Sequence, residues 1–204
     1  MKRALILVDL QNDFVPGGAL AVPDGDQVIP VANLVMKKFD LVVATQDWHP
    51  ADHGSFASQY PGRKPGEFIE LNGLQQILWP DHCVQGSRGA EFVGGLAVAG
   101  ITHIVRKGMD KKVDSYSGFF DNNHLKATGL GDYLNGRGID ELAIMGLATD
   151  YCVKFTALDA RQLGFKANLV KEGVRGVEIH PGDCEKAFRA MEDAGVKIIS
   201  VDDL

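Results

Sequence analysis

Cysteine is scarce in this chain. Its 204 residues hold three, Cys83, Cys152 and Cys184. They are odd in number, far apart and without a C-x-x-C pair, which excludes a disulfide-stapled scaffold and a thiol-rich zinc site. Long apolar runs are missing as well. The run from Ala4 to Val8 behind Met1-Lys2-Arg3 stops at Asp9, too short for a signal-peptide core, and nothing approaches the roughly 18 residues that a membrane span needs. No dense Lys/Arg cluster occurs and the net charge is −6; the electrostatic footprint of a nucleic-acid or acidic-membrane partner is therefore absent. Phosphate-loop and dinucleotide signatures are also missing. There is no G-x-x-x-x-G-K-[ST], and Gly129-Leu-Gly131 neither follows a strand nor continues into G-x-G-x-x-G. The expectation that survives is a soluble cytoplasmic protein acting on a small molecule, with homo-oligomerisation left open.

What is present is ordinary globular composition, 45% hydrophobic and 24% charged, in a length that suits one domain over residues 1–204. Short aliphatic, β-branched runs recur at Ala4 to Val8, Leu41 to Thr45, Thr102 to Arg106, Glu141 to Met145, Lys166 to Val170 and Lys197 to Val201. Their hydrophobicity is continuous rather than alternating, as in strands covered on both faces. Helical periodicity falls between them, near Val28 to Lys38, Phe92 to Ala99, His124 to Asn135, Tyr151 to Leu163 and Pro181 to Ala194. Gly100, Gly136, Gly164 and Gly195 stand where four of these helices should end. The fold class expected is α/β: a doubly wound, six-stranded, mostly parallel sheet with helices on both faces, a Rossmann-like three-layer arrangement. Residues 46–89, with Pro50, Pro61, Pro65 and Pro80 and no convincing long element, read as a functional insertion.

In such sheets the ligand crevice lies beyond the carboxyl ends of the strands. Asp9 ends the first strand, Asp47 the second and Lys107 the third; the fourth leads through Gly146 to Cys152. Cys152 opens a helix, where the dipole favours thiolate. Lys107 could add positive charge and Asp9 could take the thiol proton, which makes an activated nucleophile. The amides of Ala148 and Cys152 would face the oxyanion of a tetrahedral intermediate. Taken singly, Cys152 could be a small buried hydrophobe and Asp9 or Lys107 a structural ion. It is their convergence that points to chemistry.

A second group lies in the insertion. Asp47 and His49 are two apart and point the same way in extended chain. His82 would complete a facial 2-His-1-carboxylate set with open positions, suited to one divalent ion: zinc, or else iron or manganese. His53 or Ser55 could contribute or hold a water. His49-Pro-Ala-Asp-His53 is not a zinc-peptidase signature, because Pro50 stands where the glutamate base belongs. His103, His124 and His180 read as structural or surface residues. Phe14, Trp48, Trp79, Tyr116 and Phe119 supply walls that suit a flat heteroaromatic ring.

Six segments, in order, carry a resemblance: Val8-Asp-Leu-Gln-Asn-Asp-Phe14, Gln46-Asp-Trp-His-Pro50 with His53-Gly-Ser-Phe-Ala57, Trp79-Pro-Asp-His-Cys-Val84, Lys107-Gly108, Asp114-Ser-Tyr-Ser-Gly-Phe-Phe120 and Gly146-Leu-Ala-Thr-Asp-Tyr-Cys-Val153. From end to end the chain resembles the nicotinamidase/pyrazinamidase family of isochorismatase-like cysteine hydrolases. The resemblance implies Asp9, Lys107 and Cys152 as the catalytic group, and Asp47, His49 and His82 as ligands of a divalent metal, with His53 a further ligand in some members. It also implies a cis peptide before Ala148, and Phe14, Trp79 and Tyr116 as the substrate pocket. The implied reaction hydrolyses nicotinamide, or pyrazinamide, to the acid and ammonia through a Cys152 thioester in NAD salvage. Action on another small amide or carbamoyl compound, and a non-enzymatic binding role, are the alternatives. Vinyl-ether hydrolysis is disfavoured, since it needs no nucleophilic cysteine.

Overall fold

The aliphatic runs form one sheet of six strands, all parallel. The computed structural model describes residues 2–204. In it the strands are β1 (Arg3–Val8), β2 (Val42–Asp47), β5 (His103–Lys107), β6 (Glu141–Leu147), β7 (Lys166–Arg175) and β8 (Lys197–Ile199), in the sheet order β5-β2-β1-β6-β7-β8. Ala4 to Val8 of β1 are wholly buried, as expected of a central strand flanked by parallel neighbours and covered on both faces. Helices α1 (Val28–Met36), α2 (Leu130–Asn135), α3 (Lys154–Gln162) and α4 (Asp183–Asp193) make the crossovers. α1 packs on β6 and β7, while α3 and α4 pack on each other and on β7 and β8. Among the described residues no helix is long and apolar enough to cross a membrane.

Several expected boundaries are corrected. No α-helix forms over Phe92 to Ala99: adjacent Gly94 and Gly95, the latter at φ +90°, break it, and only a 3-10 turn at Val98–Gly100 remains. The helix expected from His124 starts at Leu130, because His124 (φ +55°) and Gly129 (φ +92°) are left-handed. There the Asp121 carboxylate instead takes the amides of Leu125 and Lys126 at 2.9 and 3.2 Å. Gly164 and Gly195, at φ +91° and +82°, do close α3 and α4. Gly136 keeps φ −62°, and Gly100 follows no α-helix. β7 runs five residues past Val170 to Arg175, whereas β8 stops at Ile199, before a 3-10 turn boxed by Ser200 and Asp203. The insertion also holds an unforeseen hairpin, β3 (Phe68–Leu71) and β4 (Leu74–Ile77), turned by Asn72-Gly73 at φ +51° and +83°. Those two positive angles are the ones a two-residue turn matching the strand twist requires.

Candidate active site

β1 lies between β2 and β6, so the chain winds outward in both directions from this pair and leaves a crevice at their carboxyl ends. Every candidate strand-end residue converges there. Lys107, at the end of β5 and 2% exposed, is the hub. Its Nζ lies 2.9 Å from Asp9 Oδ2 and 2.5 Å from Asp47 Oδ1; it also donates to the Ser115 carbonyl at 2.9 Å and sits 3.4 Å from Cys152 Sγ. Thr45 fixes Asp9 from the far side: its hydroxyl donates to Asp9 Oδ1 at 2.6 Å and accepts the Asp9 amide at 3.2 Å.

Cys152 arrives by a tightly specified route. Gly146, at φ +130°, passes so close to β1 that a Cβ there would sit 2.1 Å from the Val8 carbonyl oxygen. The Leu147–Ala148 peptide is cis, as the resemblance implies. Thr149–Val153 then form a π-helical turn before α3, with Val153, Ala157 and Ala160 fully buried. Cys152 is therefore inside an irregular turn and not at the first residue of an α-helix. The surroundings of the sulfur work against a resting thiolate. Burial, with Asp9 and Asp47 nearby, pushes the thiol well above its ordinary pKa, and Lys107 only partly counters this. Burial also raises Asp9, to about 6, against the opposing pull of Lys107. Lys107 itself stays charged: burial disfavours the cation, but Asp47 and Asp9 outweigh that effect.

The second group is equally well built. His49 and His82 each donate Nδ1–H to a backbone carbonyl, Gly108 and Pro80 respectively, both at 2.8 Å. A carbonyl can only accept, so in the neutral form of either ring the lone pair is on Nε2. These Nε2 atoms lie 3.6 and 3.9 Å from Asp47 Oδ2, and that of His49 is buried without a hydrogen-bond partner. Two imidazole lone pairs and a carboxylate oxygen facing one another, the rings held by carbonyls behind, fit a divalent cation. His53 stands apart from Asp47 and His82; it groups with His49 and Asp114, its own Nε2 buried and unpartnered and its Nδ1 2.7 Å from Ser55 Oγ.

Phe14, Trp79 and Tyr116 line one narrow cavity, onto which Cys152, Ala148, Asp47 and His82 also open. The Tyr116 hydroxyl accepts from Trp79 Nε1 at 3.2 Å and Gln76 Nε2 at 2.9 Å. Of the other aromatic residues considered, Phe119 is core, and Trp48 lies under Arg106 at 4.0 Å. A larger open groove bounded by Pro50, Met109 and Lys126 is lined by Lys107 but by neither Cys152 nor any histidine. Sequence reasoning missed Tyr151, whose ring stands edge-on to Trp79 at 4.8 Å, and also Leu20 and Val177 on the same cavity. It missed Gln11 too, wholly buried, whose amide exchanges two 2.8 Å bonds with the backbone of Asp47. Only the position of Tyr151 beside Cys152 offered a signal for any of these.

A doubly wound parallel sheet with a cysteine, a lysine and two carboxylates at its switch point is an α/β fold of the class that carries enzymes, with the residue types a nucleophilic hydrolase uses. The isochorismatase domain matches residues 3–203. Nicotinamidase of Escherichia coli K12 is 53% identical over 205 residues, covering 98% of this chain and 96% of its own. A nicotinamidase/pyrazinamidase structure from Acinetobacter baumanii superposes with a TM-score of 0.96 at 46% identity, over 99% of this chain and 97% of that one. The zinc complex of pyrazinamidase from Pyrococcus horikoshii does so at 0.79 and 40% identity, covering 98% and 99%. The chain belongs to the isochorismatase family.

Proposed function

We propose that this protein is a cytoplasmic nicotinamidase that hydrolyses nicotinamide to nicotinate and ammonia through a thioester on Cys152, takes pyrazinamide as well, and serves NAD salvage. One observation carries this reading. The sulfur of Cys152, 3.4 Å from Lys107 Nζ, opens onto the same aromatic cavity as Asp47 and His82. Near-full-length relatives named nicotinamidase support the choice of substrate. On this reading residues 1–204 work as one unit, with 46–89 supplying the metal site and part of the pocket.

Phe14, Trp79 and Tyr116 hold the pyridine ring and exclude water. Because the thiol is protonated at rest, its proton passes to Asp9 as sulfur attacks the carboxamide carbon. Lys107 stabilises the negative charge that moves between Asp9 and sulfur, and the amides of Ala148 and Cys152 receive the developing oxyanion. Asp9 returns the proton to nitrogen, the C–N bond breaks and ammonia leaves. Asp9 then takes a proton from water as the hydroxyl attacks the thioester; the C–S bond breaks, and the proton returns to sulfur. Asp47, His49 and His82 would hold one divalent cation, zinc foremost, with iron or manganese on the same donor set, and His53 Nε2 is the candidate fourth donor. Such an ion supplies a Lewis acid that anchors the ring nitrogen and draws electron density from the carboxamide.

The test is ammonia release from nicotinamide, before and after chelation and metal return, for the wild type and Cys152→Ala. Metal-dependent release that the variant loses while still binding nicotinamide is the expected result. No release from metal-loaded wild type, or near-wild-type release from the variant, overturns the reading.

A further inference from the structure

Part of the cavity wall is built by the chain leaving β7. Val177 lines the cavity, two residues past the end of β7 at Arg175. It is not held by packing within a regular element. Instead the carboxylate of Asp150, 3% exposed, takes two consecutive amides, Val177 N–H on Oδ1 at 3.0 Å and Glu178 N–H on Oδ2 at 2.8 Å. The segment beyond is tied in the same manner, since Glu178, at φ +52°, accepts the amides of Gly182 and Cys184 at 3.0 and 2.8 Å. At residue 176 a side chain would displace its neighbours: a Cβ there would lie 2.0 Å from Cys184 Sγ and 3.1 Å from Asp150 Oδ1. Asp150 itself belongs to the π-helical turn that carries Cys152.

We infer that Asp150 is a positioning residue that clamps residues 177–178 so that Val177 bears on the substrate ring, and that this pair sets which substituted ring amides are accepted. The inference rests on the nicotinamidase reading. Both carboxylate oxygens are committed to backbone donors, so Asp150 has no part in proton transfer. Its effect reaches the substrate through the position of one aliphatic side chain. Charge-assisted bonds to a buried carboxylate are the strong class of hydrogen bond, and replacing one oxygen by an NH2 group sets a donor against a donor. The wall then moves while the nucleophile's turn keeps its own backbone bonds.

Asp150→Asn, Val177→Ala and the double variant, each metal-loaded, are assayed on nicotinamide and on ring-methylated nicotinamides. Amide hydrogen exchange at residues 177 and 178 is followed in parallel. Asp150→Asn is expected to raise KM for nicotinamide about tenfold with kcat within about threefold, and to speed exchange at both amides about tenfold. In the double variant the KM effects should not multiply, because with the Val177 side chain gone its displacement costs nothing. Both Val177→Ala and Asp150→Asn should narrow the preference for nicotinamide over its methylated forms. A fall in kcat at unchanged KM, multiplicative effects, or unaltered exchange overturns the clamp. Should Asp150→Asn not fold, Val177→Ala decides: unchanged selectivity overturns the inference. Inactive wild type would instead sink the nicotinamidase reading itself, a separable outcome.

Discussion

Lys107 stands between two buried carboxylates, and its loss would leave Asp9 and Asp47 facing each other uncompensated. Lys107→Met should therefore cost about 3 to 5 kcal/mol of stability in addition to abolishing turnover, read from urea denaturation. Asp9 gives a pH prediction with a definite sign. Its carboxyl is raised to about 6 and acts as the base only when ionised, so raising pH through that value switches it on. A kcat/KM profile should fall about tenfold per pH unit on the acid side of 6, and Asp9→Asn should lose that limb along with most of its rate. Asp9, Asp47, Lys107 and Cys152 were legible in the sequence because each lies at or just beyond the carboxyl end of an apolar run. The protonated thiol was not. It follows from the depth of burial and from two carboxylates, Asp9 and Asp47, that strand ends 143 and 105 positions away in sequence bring beside it, and no local pattern carries that.

Short elements were read less well than the side chains they carry. The Asn72-Gly73 turn was a plain hairpin signal, yet the flanking residues Phe68 to Leu71 and Leu74 to Ile77 lack the alternation that would have made it persuasive. Conversely, Phe92 to Ala99 has helical periodicity, but two adjacent glycines decide otherwise. Gly108 shows how an element's end can serve a distant ring. At φ +67°, a Cβ on it would lie 2.4 Å from His49 Cε1, and its carbonyl holds His49 Nδ1. Gly108→Ala should fold but tilt that imidazole, weakening metal affinity about tenfold to a hundredfold in a metal-competition titration. Gly146→Ala is different in kind. It drives a methyl into the backbone of the central strand and should cost about 4 kcal/mol, seen as a shifted denaturation midpoint with the metal ligands untouched.

At the scale of the whole molecule, the parallel sheet followed from strand composition, and it placed the crevice at the carboxyl ends of the strands before any side chain was considered; the strand order and its switch point came only with the structure. The insertion could not be placed in that way. Two of its three histidines, His49 and His82, meet Asp47 through carbonyls of Gly108 and Pro80 and through loop packing, which leave no periodic trace. The bound ion should act on the entire fold. A ligand held only by the native state at about 100 times its dissociation constant adds about 2.7 kcal/mol. For a chain of this size that is a rise of about 5 to 10 °C in Tm on metal loading, reversed by chelator, in a calorimetric scan.

The sheet order also fixes a timetable. β1 is the third strand from one edge, yet one of its two partners, β6, begins at Glu141. While the chain is being made, the most apolar strand of the protein emerges first and waits for more than half of the sequence before its open side is covered. Fragments that stop short of Glu141 present that edge to one another, and they are expected to aggregate where the finished chain folds.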